Sequence, residues 1–295
     1  PKGLLKINGK PVIEHQIELA KKFGHIDITI CIGFLGQQIK DYFTNGTKWG
    51  VKINYSIETH PLGTSGALAK ISSSISEDCF IFYGDTLMNI SLDLMYEFHK
   101  QNNSDITLLV HPNDHPFDSD LVQIDSNNKV LGFLPSPHSN ELIYNNLVNA
   151  ALYILSPKAI SLIPKGKKSD FGKDIFPKNI NSNIRMYAYK TAEYIKDMGT
   201  PKRYEEVIND FNSGIISKLG GKKKAVFLDR DGVIIKDEGL VYKLPQVKLI
   251  DGAAEGIRCI NQNGYLAVVV TNQSVIARNL CSFDELDNIH KKMEV

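Results

Sequence analysis

Apolar positions in the longer, N-terminal part of the chain switch repeatedly between two periods. Positions 12, 13, 17, 19, 20 and 23 are apolar, a helical spacing that Gly24 ends. Residues 26–32 are short and β-branched, which predicts a strand. The same reading predicts helices over 35–43, 64–75 and 92–100, and strands over 51–57, 79–83 and 106–110. This alternation is that of an open α/β sheet with helices on both faces. Between 121 and 153 the pattern changes to strands separated by turn residues (Asn127-Asn128, Pro135, Pro137), an antiparallel extension. A helix over 201–211 closes this part.

Ser213-Gly214 and Gly220-Gly221 then bracket a boundary, and a second hydrophobic strand starts after Lys222-Lys223-Lys224. The three lysines read as a solvated strand entrance. The expected organisation is a domain over 1–216, a linker over 217–222 and a second domain over 223–295. A length of 295 residues agrees with two domains, since one domain takes roughly 100–200. A net charge of +1 offers nothing for nucleic acid or an anionic membrane to bind. Cys31, Cys79, Cys259 and Cys281 form no CxxC or Cys/His cluster, so they read as reduced, mostly buried thiols of a cytoplasmic protein. No apolar run reaches the roughly 20 residues that span a bilayer, and there is no signal peptide. The chain opens at Pro1 in a loop and stops inside an uncapped helical pattern. Both ends look cut, and little activity is expected of the fragment.

Three places carry chemistry. Pro61-Leu62-Gly63-Thr64-Ser65-Gly66-Ala67-Leu68 sets two glycines around a hydroxyl residue at a helix start, where free N–H groups suit polar ligand atoms. Thr64 could equally be a plain helix cap. Phe80-Ile81-Phe82-Tyr83-Gly84-Asp85 ends a strand in a carboxylate, where open α/β sheets bind ligands. Asp85 suits Mg²⁺ if a second carboxylate, Asp197, joins it. Finally, residues 224–231 end a strand in Asp229 and Asp231, with Gly232 following. A second strand runs into Thr271-Asn272-Gln273-Ser274. A strand-end aspartate can attack phosphorus, its neighbour can handle the proton, and a hydroxyl on the next strand can hold the phosphate. His111 and His115 invite a metal reading, but Pro112 and Pro116 prevent the helix that an i, i+4 pair needs.

Residues 1 to about 212 resemble the sugar-1-phosphate nucleotidyltransferases. Pro1-Lys2 with Gly9-Lys10-Pro11 looks like the end of that family's signature, which implies a phosphate contact for Lys2. The 61–68 stretch resembles its base-recognition loop, implying nucleotide binding by Gly63, Thr64 and Gly66. Asp85 and Asp197 match its metal-binding aspartates, and Asn149-Ala150-Ala151-Leu152-Tyr153 resembles the strand whose asparagine contacts the sugar. The resemblance implies a Rossmann-like domain with a mixed sheet. It also implies Mg²⁺-dependent attack of a sugar 1-phosphate on a nucleoside triphosphate, GTP being expected. The family's glycine-rich loop would lie before residue 1. Gly132-Phe133-Leu134-Pro135 lacks the usual Glu-Lys-Pro, which leaves Lys173 as the candidate for the sugar phosphate.

Asp229-Arg230-Asp231-Gly232 and Thr271-Asn272-Gln273-Ser274 resemble the first two motifs of the haloacid dehalogenase superfamily, in the form of its histidinol-phosphate and heptose-bisphosphate phosphatases. The resemblance implies an incomplete Rossmann-like phosphatase domain. In it Asp229 is the nucleophile and Asp231 the acid and base, both beside Mg²⁺, while Thr271, Asn272 and Arg278 bind phosphate. A structural Zn²⁺ in a cysteine-rich loop would lie beyond Val295. Val275 and Asn279 replace glycines common in those relatives. The expected function is a bifunctional enzyme that removes a phosphate from a sugar bisphosphate, with D-glycero-D-manno-heptose 1,7-bisphosphate as substrate. It then activates the remaining 1-phosphate. A phosphatase alone and a non-catalytic sugar-nucleotide-binding regulator remain open alternatives.

Overall fold

The computed structural model describes residues 1–113, 119–137, 145–221, 224–263 and 265–293. The chain divides into two compact units, Pro1–Gly221 and Lys222–Val295.

The first unit begins with a small hairpin, β1 (Lys6–Ile7) and β2 (Lys10–Pro11), followed by α1 (Val12–Lys22). Next come β3 (Asp27–Ile32), α2 (Gly36–Phe43), β4 (Lys52–Ile57), α3 (Gly63–Ile71), β5 (Cys79–Phe82), β6 (Thr86–Asn89) and α4 (Leu92–Gln101). The remainder is β7 (Ile106–His111), β8 (Leu121–Ile124), β9 (Val130–Leu134), β10 (Val148–Leu155), α5 (Pro157–Ile160), α6 (Phe176–Asn179), β11 (Met186–Lys190), β12 (Tyr194–Asp197), α7 (Pro201–Asn212) and α8 (Ile215–Lys218). The predicted alternation is present. The helix expected over 64–75 leaves α-geometry at Ile71 and finishes as a 3₁₀ turn, Ser72–Ser74. α8 occupies the start of the expected linker, and Gly221 N–H is tied to Glu193 (2.8 Å).

Strands β11, β7, β10, β8 and β9 lie in that order, and β5 joins β10. The sheet is mixed: β11 runs parallel to β7, while β10 is antiparallel to both β7 and β5. Two shorter pairings, β3 with β4 (parallel) and β6 with β12 (antiparallel), accompany it. The central strands are buried on both faces. Leu108, Val110, Tyr153 and Leu155 pack on one side with Phe171 and Phe176. Their neighbours Leu109, Leu152 and Ile154 pack on the other with Leu92 and Met95. A two-residue side-chain period puts successive residues into opposite layers, so an unbroken apolar run serves both. Each such leucine or isoleucine contributes about 1.5–3 kcal/mol on burial. α1 sends Ile13 and Ile17 into a further cluster with Phe43 and Trp49, which anchors it beneath the turn between β5 and β6.

The second unit holds β13 (Ala225–Leu228), α9 (Ala253–Gln262), β14 (Leu266–Val269) and α10 (Phe283–Lys291). β13 and β14 pair in parallel, Leu228 opposite Val269. Ile234, Ile235, Val241, Val247 and Ile289 form its core. The four cysteines are not the buried thiols expected: Cys31 and Cys259 are exposed, and Cys79 and Cys281 half-buried.

Candidate active sites

Asp85 follows the turn Tyr83-Gly84 that joins β5 to β6. Gln16, buried in α1, donates from Nε2 to the carbonyls of Tyr83 and Thr86 (both 2.7 Å) and so clamps that turn from beneath. Gly3 packs where a Cβ would meet Ile13 Cδ1 at 2.4 Å and the Gly84 carbonyl at 3.2 Å. This close approach brings Lys2 alongside, its Nζ 3.8 Å from Asp85 Oδ2. Antiparallel register sets Asp197 opposite Thr86, and Met198 N–H donates to the Asp85 carbonyl (2.8 Å). The two aspartates of the sequence reading are therefore on adjoining backbones, and both side chains reach solvent.

The Asp197 carboxylate accepts from Gly199 N–H (2.9 Å) and from Arg203 Nη1, which lies 3.1 Å from each oxygen. A Cβ on Gly199 would sit 2.8 Å from Asp197 Oδ1 and would push that carboxylate aside. Thr200 caps α7 by accepting from Arg203 N–H, which aims the first turn of that helix back at Asp197. Gln16 and Arg203 escaped the sequence reading. A polar residue within an amphipathic helix and an arginine at the third position after a Thr-Pro cap were the available signals.

No cluster of three or more His, Cys, Asp or Glu side chains suited to a metal occurs among the described residues. The donor set at Asp85 and Asp197 nonetheless fits Mg²⁺, which takes one or two carboxylates and completes its shell with water and substrate phosphate. Lys2 and Arg203 stand as the cations on this pair. His115 of the weighed histidine pair lies outside the described residues, and His111 ends β7.

The 61–68 stretch uses its glycines for packing. Gly63 has φ +75°, and a Cβ there would lie 2.4 Å from the Ser169 carbonyl; at Gly66 it would lie 2.7 Å from the Lys167 carbonyl. Thr64 is not the helix cap. It donates to Asp170 Oδ2 (2.6 Å) and accepts from Phe171 N–H (3.1 Å). Burial pushes the Tyr83 hydroxyl up to about 12. Burial likewise raises Tyr153. Asn149 Oδ1 is buried with no hydrogen-bond partner. Lys173 is exposed on a single π-helical turn, Phe171–Ile175, beside Gly172. A Cβ on Gly172 would stand 3.6 Å from Asp170 Oδ1 and 3.7 Å from Asn149 Nδ2, so these groups line one spot.

In the second unit Asp229 follows β13 and Thr271 follows β14 by two residues, so the parallel pairing brings both to one sheet end. Asp229 is exposed, and its Oδ1 accepts from Arg230 N–H (2.6 Å). Arg230 is fully buried. Its Nη2 reaches both oxygens of Asp231 (3.0 Å each) and Gln273 Oε1 (2.7 Å). Gln273 Nε2 donates in turn to Asp231 Oδ2 (2.8 Å) and Thr271 Oγ1 (2.7 Å). Both oxygens of Asp231, expected beside Mg²⁺, are engaged by Arg230 and Gln273 in this structure. Asp229 is the open carboxylate. Asn272 and Arg278 are exposed nearby in sequence. The two replaced glycines are accommodated differently. Asn279 takes the left-handed conformation itself (φ +54°), which asparagine tolerates, and Val275 keeps negative φ and is buried.

No helix among the described residues is long and apolar enough to cross a membrane. The family described as nucleotidyl transferase matches residues 1–214. A probable mannose-1-phosphate guanylyltransferase 3 of Arabidopsis thaliana is 31% identical over 211 residues, 69% of this chain and 62% of its own. A UTP–glucose-1-phosphate uridylyltransferase of Synechocystis is 29% identical over 232 residues, 74% of this chain and 58% of that protein. The chain thus spans about three fifths of the length of these relatives. The crystal structure of HddC from Yersinia pseudotuberculosis has a TM-score of 0.61 at 25% identity, covering 72% of this chain and 90% of that one. A mixed-sheet α/β fold, a strand-end pair of aspartates and a match over residues 1–214 agree, and the chain belongs to the nucleotidyl transferase family.

Proposed function

We propose that the first unit transfers a nucleotidyl group from a nucleoside triphosphate, GTP in first place, to a sugar 1-phosphate. The observation that supports this reading is the strand pairing that sets Asp197 opposite Thr86, next in sequence to Asp85, with Lys2 Nζ 3.8 Å from the Asp85 carboxylate. Lys2 holds triphosphate oxygens, and Gly63, Thr64 and Gly66 take the nucleobase. Lys173 binds the sugar phosphate. Asn149 offers its unpaired buried oxygen to a sugar hydroxyl, recovering about 1–3 kcal/mol that an orphaned acceptor costs. A Mg²⁺ on the two aspartates would supply charge neutralisation at the α-phosphate. An oxygen of the sugar 1-phosphate then attacks the α-phosphorus in line and pyrophosphate leaves, so the side chains act by positioning. Guanylyltransferases of mannose 1-phosphate among the relatives support guanine and a manno-configured sugar. Pyrophosphate release across the four common nucleoside triphosphates and a panel of sugar 1-phosphates tests this. The expected best pair is GTP with a manno-configured sugar phosphate, abolished by Asp85→Asn. Binding without pyrophosphate release in the unaltered protein would favour a regulatory sugar-nucleotide sensor.

A second activity is supported by the shared sheet end of Asp229 and Thr271. In this reading Asp229 attacks a phosphomonoester and forms an aspartyl-phosphate. Asp231 protonates the leaving oxygen and afterwards takes a proton from water, whose oxygen attacks the phosphorus and releases inorganic phosphate and the free Asp229 carboxylate. Thr271, Asn272 and Arg278 hold the phosphoryl group. The substrate is a sugar bisphosphate, D-glycero-D-manno-heptose 1,7-bisphosphate in first place, whose remaining 1-phosphate the first unit accepts. Phosphate release from that compound, lost in Asp229→Asn, is the expected result. Equal release from the Asp229→Asn protein would remove Asp229 from the mechanism.

A further inference from the structure

Two segments that the proposed reaction assigns to different substrates are joined by one carboxylate. Asp170 Oδ2 accepts from Thr64 Oγ1 at the start of α3, on the nucleobase side. Its Oδ1 accepts from Gly172 N–H (3.0 Å) and Lys173 N–H (3.3 Å), on the sugar side. Around it the two strands of chain interlock. Ser169 N–H donates to the Leu62 carbonyl (2.9 Å), Ser65 N–H to the Ser169 carbonyl (3.1 Å), and Ser65 Oγ to Ser169 Oγ (2.7 Å). Phe171 N–H closes the ring on Thr64 Oγ1. The positive φ of Gly63 and the missing side chain of Gly66 are what let the backbones come this close.

We infer that Asp170 is a positioning residue that clasps the nucleobase loop to the sugar-phosphate segment, so that Gly63–Gly66 and Gly172–Lys173 are set as one rigid unit. The inference rests on the nucleotidyl-transfer reading for what the two segments bind. The clasp itself stands on the hydrogen bonds. A carboxylate is suited to the task because four lone-pair sites let it accept from a hydroxyl and two backbone amides at once, which an amide oxygen cannot match.

Hydrogen exchange of the ligand-free protein tests the clasp without any turnover. Asp170→Ala should speed exchange in peptides covering 62–66 and 169–174 together. Asp174→Ala removes the acceptor of Asp170 N–H but leaves the Thr64 link, and it should speed exchange over 169–178 only. Faster exchange at 169–174 with 62–66 unchanged in Asp170→Ala overturns the clasp. Thr64→Val, which cuts the same link from the other side, decides the matter if Asp170→Ala does not fold. In steady-state assays Asp170→Ala should raise KM for both substrates about tenfold, the scale of one charge-assisted hydrogen bond, with kcat little changed. Thr64→Val added to it should change little more. A rise for one substrate alone, or a fall in kcat alone, would contradict a shared positioning role. Absence of turnover would bear on the proposed reaction alone and leave the exchange result to judge the clasp.

Discussion

Arg203 holds Asp197 through a single guanidinium nitrogen, 3.1 Å from each carboxylate oxygen. The contact puts a cation where the proposed metal would draw on the same oxygens. Replacing Arg203 by Ala should therefore tighten binding of Mn²⁺ to the nucleotide-free protein. The pair is partly exposed, worth about 0.2–1 kcal/mol, so the gain should be roughly 1.4- to fivefold. Electron paramagnetic resonance of free Mn²⁺ would measure it; unchanged or weaker binding would mean that Arg203 orients Asp197 without competing.

Gln16 shows how a residue remote from the chemistry sets the site. Its amide bridges the carbonyls of Tyr83 and Thr86 on either side of Asp85. Gln16→Leu leaves both carbonyls without that donor inside a packed helix contact. A loss of about 2 kcal/mol is expected, read by denaturant unfolding of the first unit, with pyrophosphate release reduced beyond what the stability change explains.

Gly63→Ala should be costly for two reasons. The residue has φ +75°, and the added Cβ would lie 2.4 Å from a backbone oxygen that is itself hydrogen-bonded. A destabilisation of about 2 kcal/mol or more follows. Gly9→Ala shares the positive φ but has open space around it, so a thermal melt of the two variants separates steric contact from backbone strain.

His99 predicts a pH dependence. It is buried between Thr107 and Asp78, and burial lowers its pKa below 6.5 although Asp78 pulls the other way. The unfolded chain then binds the proton more readily than the folded one. Stability from the neutral ring is full above pH 6.5 and is lost as pH falls through the lowered value. Melting temperatures between pH 7.5 and 5 should show this decline, and His99→Gln should flatten it.

In the second unit, Asp231→Asn leaves the fully buried Arg230 without its carboxylate. The expected cost is about 3 kcal/mol, so loss of phosphatase activity in that variant has to be read beside its unfolding curve. Exchanging Arg230 and Asp231 together for apolar residues should restore stability but not activity. Recovery of neither would mean that the pair does not carry the local fold.

Composition and periodicity by themselves determined the alternation of helices and strands, the change to an antiparallel extension near 121, and which strands end in carboxylates. These are local properties: a two-residue or helical period and a strand-ending glycine are visible within a few neighbours. Strand ends also pointed to Asp85, Asp229 and Thr271 as site candidates, because chemistry at strand ends follows from sheet geometry, whereas Asp197 was singled out by the family resemblance. What only the tertiary structure decided is what those groups touch. Antiparallel register across β6 and β12 sets Asp197 opposite Thr86, the neighbour of Asp85, and Arg203 reaches Asp197 because a helix cap sets its direction. The Thr64–Asp170 contact links residues 106 apart. Gly63 and Gly66 looked like a ligand-approach motif, yet their immediate constraint is the backbone of 167–169. Hydrogen bonds between distant segments have no local period, so they become visible only once burial of the apolar layers has brought those segments together.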